Sequence, residues 1–161
     1  MKVFIDADDT IMNSSKTVVD ILNNKYGLSK TVADVKDWCY RSIYPGMTPE
    51  TVLEIYDSDE FFTRVKLDRS FINFHRAHLE DCEFVVVTKG TKINLEKKKK
   101  FLSGKIKGKY AGLIFDRVHD FNKSIVDMRG GIQVDDRMDC LINTNAAVKI
   151  LLTHGRSLPW N

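Results

Sequence analysis

Apolar residues fall along the chain in two kinds of grouping. Compact runs stand at Val3-Phe4-Ile5, Phe84-Val85-Val86-Val87, Leu113-Ile114-Phe115, Ile132-Gln133-Val134 and from Ala147 to Leu152. Short runs of this kind, bounded by polar or turn-forming residues, read as buried strands, the first over about residues 2–6. Spaced groupings stand between them: Val18, Val19, Ile21, Leu22 and Tyr26, then Val52, Leu53, Ile55 and Tyr56, then Phe71, Ile72, Phe74 and Leu79. These spacings predict helices over 15–26, from Thr48-Pro49-Glu50 onward and over about 69–79, with a further amphipathic helix over 91–103. The punctuation agrees: Asn13 or Ser14 suits an N-cap, Gly27 a C-cap, and Pro49 a first helical turn.

Strands and helices alternate from residue 82 onward, which argues for a parallel sheet with crossover helices. Residues 12–80 contain no clear strand and are too long for an ordinary connection. The expected fold class is therefore α/β, with a central parallel sheet and a helical insertion above the sheet edge where Asp6 emerges. The core would comprise residues 1–12 and 81–161, and residues 13–80 would form a helical cap suited to act as a lid.

Length and charge sharpen this reading only modestly. A chain of 161 residues suffices for one domain with an insertion. The net charge of +3 suits an anionic substrate without demanding nucleic acid. Cys39, Cys82 and Cys140 lie far apart and show no metal-ligand spacing, as expected of reduced thiols in a cytoplasmic protein. No apolar run approaches a membrane span, so no membrane partner is expected. His75, His78, His119 and His154 share no ligand spacing, which argues against zinc. The Lys97–Lys100 run reads as a solvated helix face, since four adjacent residues circle a helix.

The chemistry gathers at strand ends. The first strand runs into Asp6, Asp8 and Thr10, the second into Thr88-Lys89-Gly90, and the fourth into Asp135-Asp136. Lys123 lies in the preceding polar stretch His119-Asp120-Phe121-Asn122-Lys123. In a parallel sheet these ends meet at one edge, where open α/β sheets bind ligands. Clustered carboxylates repel one another unless a cation or shared proton holds them. A hydroxyl and a lysine beside them match the needs of phosphoryl transfer around Mg²⁺. The plainer alternatives are an acidic turn for Asp8 and Asp9, a local cap for Thr10, β propensity for Thr88, a surface lysine for Lys123 and a surface ion pair for Arg137. Turn solvation is the favoured reading for Asp9 alone. Trp38, Tyr40, Tyr44 and Phe62 read mainly as cap core.

These residues resemble the signature of the haloacid dehalogenase superfamily of phosphohydrolases. Its motif of two aspartates and a threonine after an apolar strand matches Asp6-Ala7-Asp8-Asp9-Thr10. Its strand ending in Ser or Thr matches Val85 to Thr88, its lysine matches Lys123, and its paired acids match Asp135-Asp136, all in the family's order. Lys89, Lys105, Lys107 and Lys109 compete for the lysine position. A narrower resemblance is to the 5'(3')-deoxyribonucleotidases, carried by Asp135-Asp136-Arg137, Asn122-Lys123-Ser124 and Pro159-Trp160-Asn161, with Asp9 departing from that group's usual Gly.

The resemblance implies a Rossmann-like three-layer core with a cap between the first two motifs. It implies Asp6 as nucleophile and Asp8 as acid and base. Mg²⁺ would be held by Asp6, the Asp8 carbonyl and one of Asp135 or Asp136. Phosphate oxygens would be held by Thr88 and Lys123, with Lys89 opening an anion-suited helix start. The expected substrate is a small phosphorylated molecule, a (deoxy)nucleoside monophosphate first. The alternatives are a nucleic-acid 3'-phosphatase, a metabolite phosphatase, a receiver-like signalling domain and an inactive binding protein.

Overall fold

The computed structural model describes residues 1–114, 123–153 and 160. Its five strands are β1 (Lys2–Ile5), β2 (Glu83–Gly90), β3 (Lys109–Ile114), β4 (Ile132–Asp135) and β5 (Val148–Leu151). They form one sheet in the order β3-β2-β1-β4-β5, every pair parallel. Helices flank this sheet, giving the expected Rossmann-like α/β architecture. No described helix is long and apolar enough to cross a membrane.

The central place of β1 follows from its composition. Val3, Phe4 and Ile5 are all buried, as a strand covered on both faces requires. Ile5 packs with Val86 in one core cluster, and Phe4 packs with Val85 and Val87 in the other. Gly131, just before β4, allows the close approach of this strand to β1. A Cβ there would stand 2.6 Å from the Phe4 ring.

The sheet departs from the apolar pattern at β3, which begins at Lys109 rather than Leu113. Its pairing with β2 runs from Val85↔Lys109 to Gly90↔Ile114. β3 ends the strand order, and its residues are mostly half-buried or exposed, so backbone pairing rather than an apolar run sets its start. Phe115 lies outside the described residues.

Between β1 and β2 stand helices α1 (Ser14–Tyr26), α2 (Pro49–Asp57), α3 (Asp59–Arg64) and α4 (Arg69–Ala77), with a 3₁₀ turn at Val32–Asp34. Side-chain caps fix the starts of α2, α3 and α4: Thr48, Ser58 and Asp68 accept from the backbone N–H of Thr51, Phe61 and Phe71. Gly27 ends α1 in the left-handed conformation at φ 64°. α4 stops at Ala77, two residues short of the expected end. Val18, Leu22, Tyr40, Tyr44, Met47, Val52, Phe61 and Phe71 join Ile5 and Val86 in one buried cluster, so this helical segment shares its core with a face of the sheet. Tyr40 and Tyr44 are therefore core, as expected of them.

Helix α5 (Lys92–Leu102) follows β2, and α6 (Met138–Ile142) follows β4. Polar contacts tie α5 to the end of α2. Thr91 Oγ1 donates to Asp57 Oδ1 at 2.6 Å, and Asn94 Nδ2 donates to the Tyr56 carbonyl at 2.6 Å. Lys97 Nζ reaches the Asp57 carbonyl at 2.7 Å and Asp59 Oδ1 at 2.6 Å.

Candidate active site

Strand register creates the site. Ile5 is level with Val86 on one side and Val134 on the other. One residue further, Asp6 and Asp135 stand side by side at the carboxyl edge, and the Asp6 N–H donates to the Val134 carbonyl at 3.0 Å. Asp6, Asp135 and Asp136 each offer an oxygen within 4.8 Å of the others, and all three are buried.

Lys123, 2 % exposed, enters between them. Its Nζ lies 2.5 Å from Asp6 Oδ1 and 2.6 Å from Asp135 Oδ2. Burial opposes the ammonium charge, but the Asp6 and Asp135 carboxylates outweigh it and raise the Lys123 pKa. His119 to Asn122 lie outside the described residues.

Burial, then the charge of Asp6, pushes the Asp135 carboxyl up to about 6 against the pull of Lys123. Burial, then Asp6, Asp9 and Asp135, pushes Asp136 up to about 9. Such a site favours additional positive charge. The donor set is buried carboxylate oxygen, which suits a hard divalent cation such as Mg²⁺. Two further groups brace the acids. Trp160 Nε1 donates to Asp136 Oδ2 at 2.6 Å, and buried Gln133 Nε2 approaches Asp135 Oδ2 at 3.4 Å. Gln133 is itself held by the Thr144 hydroxyl, which donates to its Oε1 at 2.5 Å.

Asp8 faces a different set of partners. Ser14 Oγ donates to its Oδ1 at 2.7 Å, and Lys98 Nζ is hydrogen-bonded to its Oδ2. Lys98 also donates to Thr88 Oγ1 at 3.1 Å and to the Lys89 carbonyl at 2.9 Å. Only 1 % of Lys98 is exposed, so the solvated-face reading of the lysine run fails at this residue. It lies three residues after Leu95 and four before Leu102, both buried, and so belongs to the inward stripe of α5. That spacing was the available signal. Lys99 and Lys100 are exposed, as expected of the run.

Asp9 also departs from expectation. It is 7 % exposed rather than turn-solvated, and it adopts φ 51°. Its Oδ1 accepts the Ser15 backbone N–H at 2.8 Å, and its Oδ2 accepts the Ser15 hydroxyl. The carboxylate thus caps the start of α1, where Asn13 supplies no side-chain cap. Tyr40 Oη continues the chain by donating to Ser15 Oγ at 3.1 Å. Thr10 is buried, and among the described residues its Oγ1 has no hydrogen-bond partner.

These groups open into a cavity of about 380 Å³. Asp6, Asp8, Lys98, Lys123 and Asp136 line its polar part, while Trp38, Leu53, Tyr56 and Trp160 supply apolar wall. Lys89 and Arg137 also border it, and Arg137 is paired with Asp139 at 2.7 Å. Thr88 is fully buried near the carboxyl end of β2. Burial pushes the bordering Cys140 thiol up to about 12, which leaves it a poor nucleophile near neutral pH. The structure thus brings Asp6, Asp8, Thr88, Lys89, Lys123, Asp135 and Asp136 to one edge of the sheet. Sequence reasoning missed Lys98, the bracing role of Trp160 and the capping role of Asp9.

The sequence matches no protein-family model and no curated protein. Solved structures are similar in fold. A hydrolase of the haloacid dehalogenase-like family from Streptococcus pneumoniae aligns with a TM-score of 0.58 at 11% identity, covering 96% of this chain and 85% of that one. A haloacid dehalogenase superfamily hydrolase of subfamily IA from Geobacter sulfurreducens aligns with a TM-score of 0.54 at 14% identity, covering 91% of this chain and 83% of that one. The chain therefore has the fold of the haloacid dehalogenase-like hydrolases.

Proposed function

We propose that the protein is a Mg²⁺-dependent phosphomonoester hydrolase acting through an aspartyl-phosphate, with (deoxy)nucleoside monophosphates as preferred substrates. The observation that carries this reading is the meeting of Asp6, Asp8 and Asp136 with the buried Lys98 and Lys123 in one aromatic-walled cavity, with buried Asp135 beside Asp6.

Asp6, the Asp8 carbonyl and the pair Asp135/Asp136 would hold the cation. When bound, Mg²⁺ supplies the charge neutralisation that lets a phosphate approach these acids. The Asp6 carboxylate attacks phosphorus and the ester oxygen leaves. Asp8 gives that oxygen a proton, then takes one from the water that cleaves the phosphoaspartate. Lys123, Thr88 and Lys89 stabilise charge on the phosphoryl oxygens. The helical segment 13–80 acts as a cap that excludes water during these steps.

Trp38, Tyr56 and Trp160 offer flat apolar surface to a nucleobase. The cavity volume of about 380 Å³ lies at the small end of the roughly 300–1,000 Å³ typical of ligand sites. The ties between α2 and α5 close one side of it, which favours a small ester over an oligonucleotide. A receiver-like reading needs a strand ending in Asp near residues 50–60, where α2 and α3 stand instead.

The test is a panel of nucleoside monophosphates, sugar phosphates, p-nitrophenyl phosphate and a 3'-phosphorylated oligonucleotide, each assayed with Mg²⁺ and with excess chelator. Mg²⁺-dependent turnover with nucleotides leading is expected. Turnover of none of them, or undiminished turnover in chelator, overturns the proposal.

A further inference from the structure

Lys98 is the one charged group of α5 that reaches the candidate site, and nothing in the four-motif scheme accounts for it. It is buried, yet it joins α5 to two other segments: Asp8 after β1, and Thr88 with the Lys89 carbonyl in β2. A lysine in such a place loses its hydration and the rotamer freedom of a long stem. The carboxylate of Asp8 and two further acceptors compensate it.

The arrangement separates the two buried lysines of the site, Lys98 and Lys123, by task. Lys123 contacts Asp6 and Asp135, two of the three acids that suit a cation. Lys98 contacts neither of them and holds the remaining acid, Asp8. With Ser14 on Oδ1 and Lys98 on Oδ2, both carboxylate oxygens of Asp8 have fixed donors. A carboxylate held in this way keeps one orientation toward the cavity. Asp8 is 27 % exposed at its side chain, so without these donors water would compete for it.

α5 itself is anchored to the helical segment. Thr91, Asn94 and Lys97 bind the last residues of α2, and Tyr56 and Asp57 of that helix border the cavity. The helix that presents Lys98 to Asp8 is thus the helix that the cavity wall rests on.

We propose that Lys98 is a positioning residue for Asp8: it orients the carboxylate that exchanges the proton with the leaving group and the attacking water. This rests on the reading of the site as a phosphatase with Asp8 as its acid and base. Wild-type turnover of the two esters below tests that reading separately.

A poor leaving group needs protonation as it departs, whereas p-nitrophenolate leaves with little help. Lys98→Met should therefore slow an alkyl phosphate about 100-fold, near the low end of what a positioned acid contributes, and p-nitrophenyl phosphate less than about 10-fold. In an Asp8→Asn background the same substitution should cause no further loss on the alkyl ester. Mg²⁺ affinity measured by calorimetry should stay within about twofold, because the cation-suited acids are not its partners. Lys100→Met, at an exposed neighbour, should match wild type on both esters.

Equal losses on the two esters, or a loss that multiplies with that of Asp8→Asn, would overturn the proposal. So would a drop in Mg²⁺ affinity large enough to account for the loss. If Lys98→Met does not fold, Lys98→Arg, which keeps the charge while changing its reach, carries the same two-ester comparison, and equal losses there overturn it as well.

Discussion

The two halves of the candidate site are built differently. One half, Asp6 with Asp135 and Asp136, hangs on the ends of adjacent strands whose hydrogen-bond register sets the spacing of the acids, and Lys123 joins it from a 3₁₀ turn over Lys123–Ile125. The other half, Asp8 and Asp9 with Ser14, Ser15 and Lys98, is assembled where the turn after β1 meets the start of α1 and the inner stripe of α5. Strand register is a backbone property and tolerates changes in surrounding side chains. The helix-borne half depends on where two helices pack, so its geometry is shared with the core beneath them.

The sharpest break falls on the strand half. Asp6→Asn should remove turnover by something on the order of 10⁶-fold, as loss of a committed nucleophile does elsewhere. Circular dichroism should show the fold retained. Turnover comparable to wild type would transfer the nucleophile's role to another group and dissolve the contrast.

A smaller effect is expected at the brace of that half. Trp160→Phe keeps an aromatic ring but deletes the indole donor to Asp136. Mg²⁺ binding by calorimetry should weaken about 10-fold, the low end for losing a hydrogen bond to a metal-ligating carboxylate. Unchanged affinity would show that strand register alone aims Asp136.

The helix half should answer in stability as well as rate. Asp9→Ala removes a buried carboxylate that caps α1, and urea unfolding should report a loss of about 2 kcal/mol. A change under about 0.5 kcal/mol, the range of an ordinary surface substitution, would return Asp9 to the solvated turn first expected of it.

Legibility divides along the same line. Val3-Phe4-Ile5, Phe84 to Val87 and Ile132 to Val134 announce their strands because burial on both faces demands unbroken apolar runs. Asp6 and Asp135 were legible for the same reason, since each stands one step beyond such a run. Lys109 hid the start of β3, because a half-exposed strand at the end of the order carries no such run. Lys98 was hidden by its neighbours: among four consecutive lysines only tertiary packing selects the one that turns inward, and the Leu95–Lys98–Leu102 spacing is its sole local trace. Asp9 was misread because a lone acid after a strand looks the same whether it meets water or a helix start six residues away. The contact of Trp160 with Asp136 joins positions 24 apart, which no local pattern encodes.

The chain has two tryptophans, Trp38 and Trp160, and both border the same cavity. Intrinsic indole fluorescence of the protein therefore originates at the candidate site. A cation drawn to Asp136 or a base laid against either ring would alter its intensity or colour, giving an unlabelled optical titration of ligand entry that needs no turnover.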